Sequence, residues 1–457
     1  MSRVAQVLTA TCITSFMNPF MGTAITVAVP DLAAEYSIEP HLVTYLISTF
    51  TICVASSLLP ASALANRLGY RQAYATGVLC AAVCSVLITL TPTFTLLMLA
   101  RGVQGMTFAL AFCTGMALLF DQAPRERRAM VVAIQTAAVY SGMSCAPLLS
   151  GVIIEHLSWR MLFYMAAAAQ LTSFLLIRRI PRDRPNTDYL PLPKLALAFA
   201  AVFTTLASLT FLREHALCAW TLGLGVVLVA AFLILEARSQ RSIFPVRALL
   251  HNRVLNLALG AATCNYMATF AISLLLALHL QLIMGFSPSF TGVFLITQPL
   301  FMTACSLLAG RLGNRVPPHL LTGGGMALTA AALLCMSSID AHSPLWAMAL
   351  MQALAGVGFG LFSATNTAIV MSSVERTLYA VVSGLHSLSR NFGMALGMAG
   401  LGVILSLYIS APSGTTLYLY ELSHSLSVSF TFQGVVCILG VACCVLGYQA
   451  RRALSPD

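Results

Sequence analysis

Fourteen long apolar stretches follow one another along this chain, near residues 4–30, 40–65, 71–91, 94–121, 128–154, 159–178, 190–212, 217–236, 253–282, 289–311, 318–338, 343–373, 377–410 and 427–450. A helix needs about 20 apolar residues to cross a hydrocarbon core about 30 Å thick. Nearly every stretch meets that length, and several exceed it, which predicts tilt or extension beyond the bilayer. The short alternating segments of a membrane β-barrel are missing. Composition agrees: of 457 residues 59% are hydrophobic and 8% charged, against about 25% charged in an ordinary soluble domain. Too few charges remain to clothe a soluble fold of this size. A cytosolic enzyme, a secreted disulfide protein and a disordered scaffold are therefore excluded, and the chain reads as an all-α integral membrane protein.

The basic residues set the expected orientation, because Lys and Arg are kept on the cytoplasmic side. With the N-terminus inside, 20 of the 24 fall in the even-numbered connections or the termini. Arg160 and Arg213 lie outside, and Arg101 and Arg390 lie within spans. This split predicts a multi-pass protein with both termini cytoplasmic. Trp159, Trp220 and Trp346 fall at outer span ends, where interfacial anchors belong. The net charge of +10 is thus a topology signal, and no nucleic-acid partner is expected. The thirteen cysteines sit mostly singly within spans, Cys443 and Cys444 being neighbours, and read as small buried hydrophobes. Neither metal nor cofactor is expected.

Basic, turn-rich segments at 178–194 and 236–253 bracket two plain apolar spans. Setting that pair aside leaves six spans on either side. The expected organisation is an N-terminal six-helix bundle over 1–180, two additional helices with flanking cytoplasmic loops over 181–252, and a C-terminal six-helix bundle over 253–457. The two sixes share a signature: Ser62-Ala-Leu-Ala-Asn66-Arg67 follows span 2 and Gly310-Arg-Leu-Gly-Asn314-Arg315 closes span 10. A repeated loop at equivalent places predicts the duplicated bundles of secondary transporters, which rock about a central site.

These residues resemble the major facilitator superfamily, and within it the fourteen-span drug:proton antiporters. The family's loop motif G-x-L-x-D-R-x-G-R-R is approached from Ser62 to Arg71, through Asn66, Arg67, Gly69 and Arg71. The span 4 motif L-x-x-x-R-x-x-Q-G is met by Leu97, Arg101, Gln104 and Gly105. The antiporter motif of span 5 appears as Gly142, Ala146, Pro147, Ser150 and Gly151. Trp159-Arg160 and the stretch from Ser383 to Gly397 are also similar to this branch. The resemblance implies a major facilitator fold: two six-helix bundles plus two extra central helices, closed on the inside by the Asn-Arg loops and on the outside by span 5.

One departure bears on mechanism. Where members of the branch often carry an Asp in span 1, this chain has Met21. No carboxylate is found in a span interior; Asp31, Glu155 and Asp121 lie at span ends. Proton coupling needs a group whose pKa responds to burial, and the remaining titratable candidates are Glu155, His279 and His386.

Arg101 has two readings: a cation bonded to neighbouring helices, or a cavity cation that meets an anionic cargo. The resemblance favours the second, with Gln104 on the same face. Arg390, the second half's buried cation, reads as a gate or a cargo contact. By the family's cavity helices, spans 1, 4, 9 and 12, the lining comprises Asn18, Met21, Thr26, Arg101, Gln104, Asn265, Tyr266 and Asn366, and Arg390, on a span that corresponds to a family gate helix, is a further candidate contact. Gly142, Pro147 and Gly151 allow close helix packing and a bend, as gating elements together with the paired loops at Asn66–Arg71 and Asn314–Arg315. The expected function is export of small amphipathic organic compounds across the plasma (inner) membrane by alternating access, as a monomer in the lipid bilayer. Two alternatives stay open: export of a specific organic anion, lipid or siderophore through Arg101, and a transporter-like sensor. No nucleophile–base pair or phosphate loop points to an enzyme.

Overall fold

The computed structural model describes residues 3–38, 40–180, 192–211, 217–239, 249, 251–313, 315–409 and 415–454. Among them every regular element is helical. The helices are α1 (Arg3–Val27), α2 (Val29–Tyr36), α3 (Pro40–Leu68), α4 (Tyr70–Ile88), α5 (Phe94–Gln122), α6 (Arg128–His156), α7 (Trp159–Arg178), α8 (Leu192–Phe211) and α9 (Leu217–Arg238). There follow α10 (Arg253–Thr269), α11 (Ile272–Leu278), α12 (Pro288–Leu295), α13 (Thr297–Leu312), α14 (Pro318–Met336), α15 (Leu345–Ser372), α16 (Tyr379–Tyr408) and α17 (Thr416–Leu454). Thirteen helical segments among the described residues are long and apolar enough to cross a membrane. Helix α1 has the length, at 25 residues, but Thr, Ser, Asn18 and Gln6 dilute its apolar character.

Local chemistry sets many of the boundaries. The side chains of Thr93, Ser158, Asn252 and Ser287 accept backbone N–H bonds at the starts of α5, α7, α10 and α12, satisfying donors that a helix start leaves unpaired. Gly69 joins α3 to α4 at φ 86°, a conformation in which a Cβ would be strained. Three boundaries differ from the sequence reading. Span 1 ends at Val27 and continues as the short α2. Span 9 is broken after Thr269 and ends in a π turn at His279–Ile283, where Met284 N–H bonds back to the His279 carbonyl at 3.0 Å. Helix α17 starts at Thr416, well before residue 427, because Leu422 and Leu426 are buried in the apolar core beside it.

The chain divides into two compact units. The first comprises Met1–Ser208, Leu217–His251 and Val374–Leu388, and the second Leu209–Ala216, Asn252–Ser373 and Ser389–Asp457. In the first, α5 packs on α3 and α4, while α1 packs on α6 and α7. In the second, α15 packs on α13 and α14, and α17 on α10 and α14. The repeated pattern has the same physical device in each unit. A Cβ at Gly105 of α5 would lie 2.7 Å from the Phe50 carbonyl of α3, and one at Gly360 of α15 would lie 2.6 Å from the Met302 carbonyl of α13. Backbones this close leave room for hydrogen only, the way helices associate where lipid removes the hydrophobic drive between them.

Candidate functional site

In the first unit the candidate site is a polar thread through an apolar core. Arg101 is 2% exposed; its Nη1 donates to Gln104 Oε1 at 2.5 Å. Gln104 Nε2 donates to Ser85 Oγ at 2.7 Å, and Ser85 Oγ donates to Gln170 Oε1 at 3.2 Å. The guanidinium lies over the Phe50 ring, 4.3 Å from its centroid, with Phe163 at 5.7 Å. Burying a cation in this setting is costly, and here the offset comes from an amide oxygen and two aromatic faces. No carboxylate pairs with it in the described network. Met21, at the position where the antiporter branch often has an acid, packs in the adjoining apolar cluster with Phe20, Leu97 and Phe163. Asn18 is half-buried on the same helix. Thr26 and Pro147 lie in α1 and α6, but their side chains fall outside the described ones.

In the second unit the polar groups gather around α15. Tyr266 hydroxyl meets Ser363 Oγ at 3.3 Å, its ring stands edge-on to Phe359, and Arg390 lies over it at 4.8 Å. Asn366 Nδ2 donates to the Ala258 carbonyl at 3.1 Å, and Asn265 Nδ2 points at Met326 Sδ at 3.7 Å. Tyr266 and Arg390 therefore form one aromatic–cation element, whereas Asn265 and Asn366 hold helices together inside the unit.

The loop residues divide in the same way. Arg71 Nε and Nη2 donate to the Ile177 and Arg178 carbonyls at 3.2 and 2.6 Å. It caps the end of α7, where carbonyls lack helical partners. Asn66 is half-buried and Arg67 exposed. The tie at this end of the first unit uses other residues. Tyr70 hydroxyl donates to the Arg376 carbonyl at 2.8 Å, Arg376 Nη2 donates to Asp121 Oδ2 at 2.8 Å, and Phe120 meets Tyr379 edge to face at 5.1 Å. The sequence signal was the lone acid closing span 4. Arg315 is exposed, and Asn314 lies outside the described residues.

A Cβ at Gly142 would overlap the Phe16 carbonyl, so α6 presses directly on α1 there; Gly151 has nothing within 4 Å and no such contact to protect. Glu155 is exposed, and His279 and His386 are buried. His279 Nε2 has no hydrogen-bond partner among the described residues. Trp159 is not an interfacial anchor: it is 3% exposed and donates to Glu35 Oε2 at 2.8 Å, beside the Arg160–Glu35 ion pair. Arg160 holds the Glu35 carboxyl below its usual range by hydrogen bonding. A carboxylate overlooked in the sequence is Glu236 near the end of α9, 1% exposed and bonded by Lys194 Nζ at 3.2 Å.

The family model of the Major Facilitator Superfamily matches residues 11–398, with a second match over 258–456. The chain belongs to the Major Facilitator Superfamily. Its fold is also that of the human organic anion transporter MFSD10 (TETRAN), at a TM-score of 0.70 and 14% identity, covering 97% of this chain and 100% of that one. The riboflavin transporter RibZ of Clostridioides difficile is 24% identical over 400 residues, 86% of each chain. The multidrug resistance protein Stp of Mycobacterium tuberculosis is 27% identical over 424 residues, 88% of this chain and 76% of that one. The tetracenomycin C resistance and export protein of Streptomyces glaucescens is 26% identical over 408 residues, 87% and 75%. This major facilitator chain is thus a multi-pass membrane transporter of small molecules and not an enzyme.

Proposed function

We propose that this transporter exports amphipathic organic compounds, neutral or anionic, by alternating access across the plasma (inner) membrane, with both termini cytoplasmic. Similarity to relatives named for multidrug resistance and for tetracenomycin C export supports export. The observation that carries the charge preference is the balance of buried charge. Among the described residues, each carboxylate on a membrane-length helix lies within two turns of a helix end: Asp121, Glu155, Glu236 and Glu421. Arg101, about two turns into α5, is buried, and Arg390 lies about three turns into α16. Among the described residues a dication would meet no acid in the middle of a membrane-length helix, and burial without a counter-charge is costly.

The test is flux in proteoliposomes under separately imposed pH and voltage gradients, with neutral, anionic and dicationic amphiphiles, for wild type and Arg101→Ala. Flux of the anions that depends on Arg101 supports the reading. A preference for dications overturns it, and flux indifferent to the pH gradient for every cargo excludes proton antiport. A second reading, transport of one specific heteroaromatic solute, is favoured by the similarity to the riboflavin transporter over 86% of the chain. Saturable flux of a single panel member would select it.

A further inference from the structure

The second unit holds an open recess, about 390 Å³ when the solvent-filled space at its mouth is counted, among the ends of α10, α14, α15 and α17. His319, Tyr448 and Arg451 line one side, Thr322 and Asn366 the inner wall, and Cys443 the floor with apolar groups of α10 and α15. The His319 imidazole is stacked on the Tyr448 ring, centroids 3.7 Å apart. Asn366 and Thr322 are 1% and 2% exposed, and each donates inward, to Ala258 O and Thr365 Oγ1. Their bonds brace the wall and keep its shape.

Charge says what the recess suits. Arg253, Arg311, Arg315, Arg451 and Arg452 all lie at this end of the unit, beside the starts of α10 and α14 and the ends of α13 and α17. The carboxylates among the unit's described residues are Asp340 and Glu421, in the turn after α14 and near the start of α17, at its opposite end. An apolar-floored recess with an Arg, a His and a tyrosine at its rim matches an anionic head carried on an apolar body. Basic pockets between helices near a membrane surface bind lipid head groups on these terms, and Arg pairs with phosphate oxygens through its fork of donors.

We propose that this recess binds a phosphate group through Arg451 and His319, supplied by an anionic phospholipid of the adjoining leaflet or by a soluble phosphate. The inference needs no cargo and stands apart from the export reading.

The experiment uses the purified full chain in detergent, with thermal unfolding and retained lipid read by native mass spectrometry. Phosphatidylglycerol, phosphatidylcholine and inorganic phosphate are added separately. Wild type is expected to retain phosphatidylglycerol over phosphatidylcholine and to melt at a higher temperature with it. Arg451→Gln is expected to weaken that binding about ten-fold, the loss of a charge-assisted hydrogen bond to phosphate, and His319→Gln to weaken it as well. Arg452→Gln, on a neighbouring exposed arginine outside the recess, should bind as wild type does. Stabilisation by inorganic phosphate that Arg451→Gln abolishes supports the site with a soluble source; stabilisation by the lipid alone supports the lipid source. Cys443→Phe fills the floor without altering charge and should lose the lipid. The proposal is overturned if neither phosphate source binds, if Arg452→Gln loses as much affinity as Arg451→Gln, or if a folded Cys443→Phe retains full binding.

Discussion

Arg376, in the turn before α16, donates to the carboxylate of Asp121 at the end of α5, 2.8 Å away and 255 residues earlier in the chain. The arginine is 71% exposed while the aspartate is 6% exposed, so the pair is wet on one side only. Together with the Tyr70 bond to the Arg376 carbonyl it fixes the beginning of α16 in the first unit. A partly exposed pair of this kind contributes less than about 1 kcal/mol. Asp121→Asn should therefore leave global unfolding almost unchanged while speeding amide hydrogen exchange over residues 374–388. Unchanged exchange there would show that Phe120 and Tyr379 hold the segment without the ion pair.

Arg101 is a different case, because it is buried, at 2% exposed. Arg101→Ala leaves Gln104 Oε1 without its donor and should destabilise the chain by about 1–3 kcal/mol, the cost of one unsatisfied buried polar group. Arg101→Lys keeps the charge but loses the planar stack on Phe50, and should fall between wild type and alanine in thermal stability. Equal melting temperatures for all three would refute the network as a structural element.

The two glycines of span 5 should behave oppositely. Gly142→Val puts a branched side chain into the Phe16 carbonyl and is expected to cost about 1–3 kcal/mol or to force α6 from α1. Gly151→Ala meets nothing within 4 Å and should be neutral to stabilising, by up to about 1 kcal/mol, because glycine costs a helix interior that much relative to alanine. Chemical denaturation of the two variants side by side decides the matter.

Glu35 provides a pH test away from the spans. Its pKa in the folded chain is depressed, chiefly by the hydrogen bond from Arg160, so it binds its proton less readily than in the unfolded chain. Its stabilising contribution is complete above the ordinary carboxylate pKa of about 4.3 and is lost as pH falls through the lower folded value. The contribution is modest because both partners are about one third exposed. Thermal unfolding of wild type should show an acid-side decline that Glu35→Gln lacks. Identical pH profiles would contradict the pairing.

Much of this molecule was legible as letters. Apolar runs of span length define the helices because a bilayer leaves backbone groups no partner outside the helix, and the Asn-Arg loops of the two halves announced the repeated packing of α3–α5 and α13–α15. Arg101 and Gln104 were visible as neighbours because three residues along a helix is one turn. Their continuation through Ser85 to Gln170 was not, since those side chains come from α4 and α7, and sequence separation carries no distance.

The sequence by itself determined the solvent, the helical class and the family of the chain, since these follow from hydrophobicity summed over windows and from local motifs. Tertiary structure alone decided which polar groups meet: that Arg71 caps α7, that Trp159 is held by Glu35, and that Asn366 lines a recess with His319 and Arg451. A buried polar side chain must find a partner. Which one it finds depends on how separate helices are brought together, and that is a property of the packed whole.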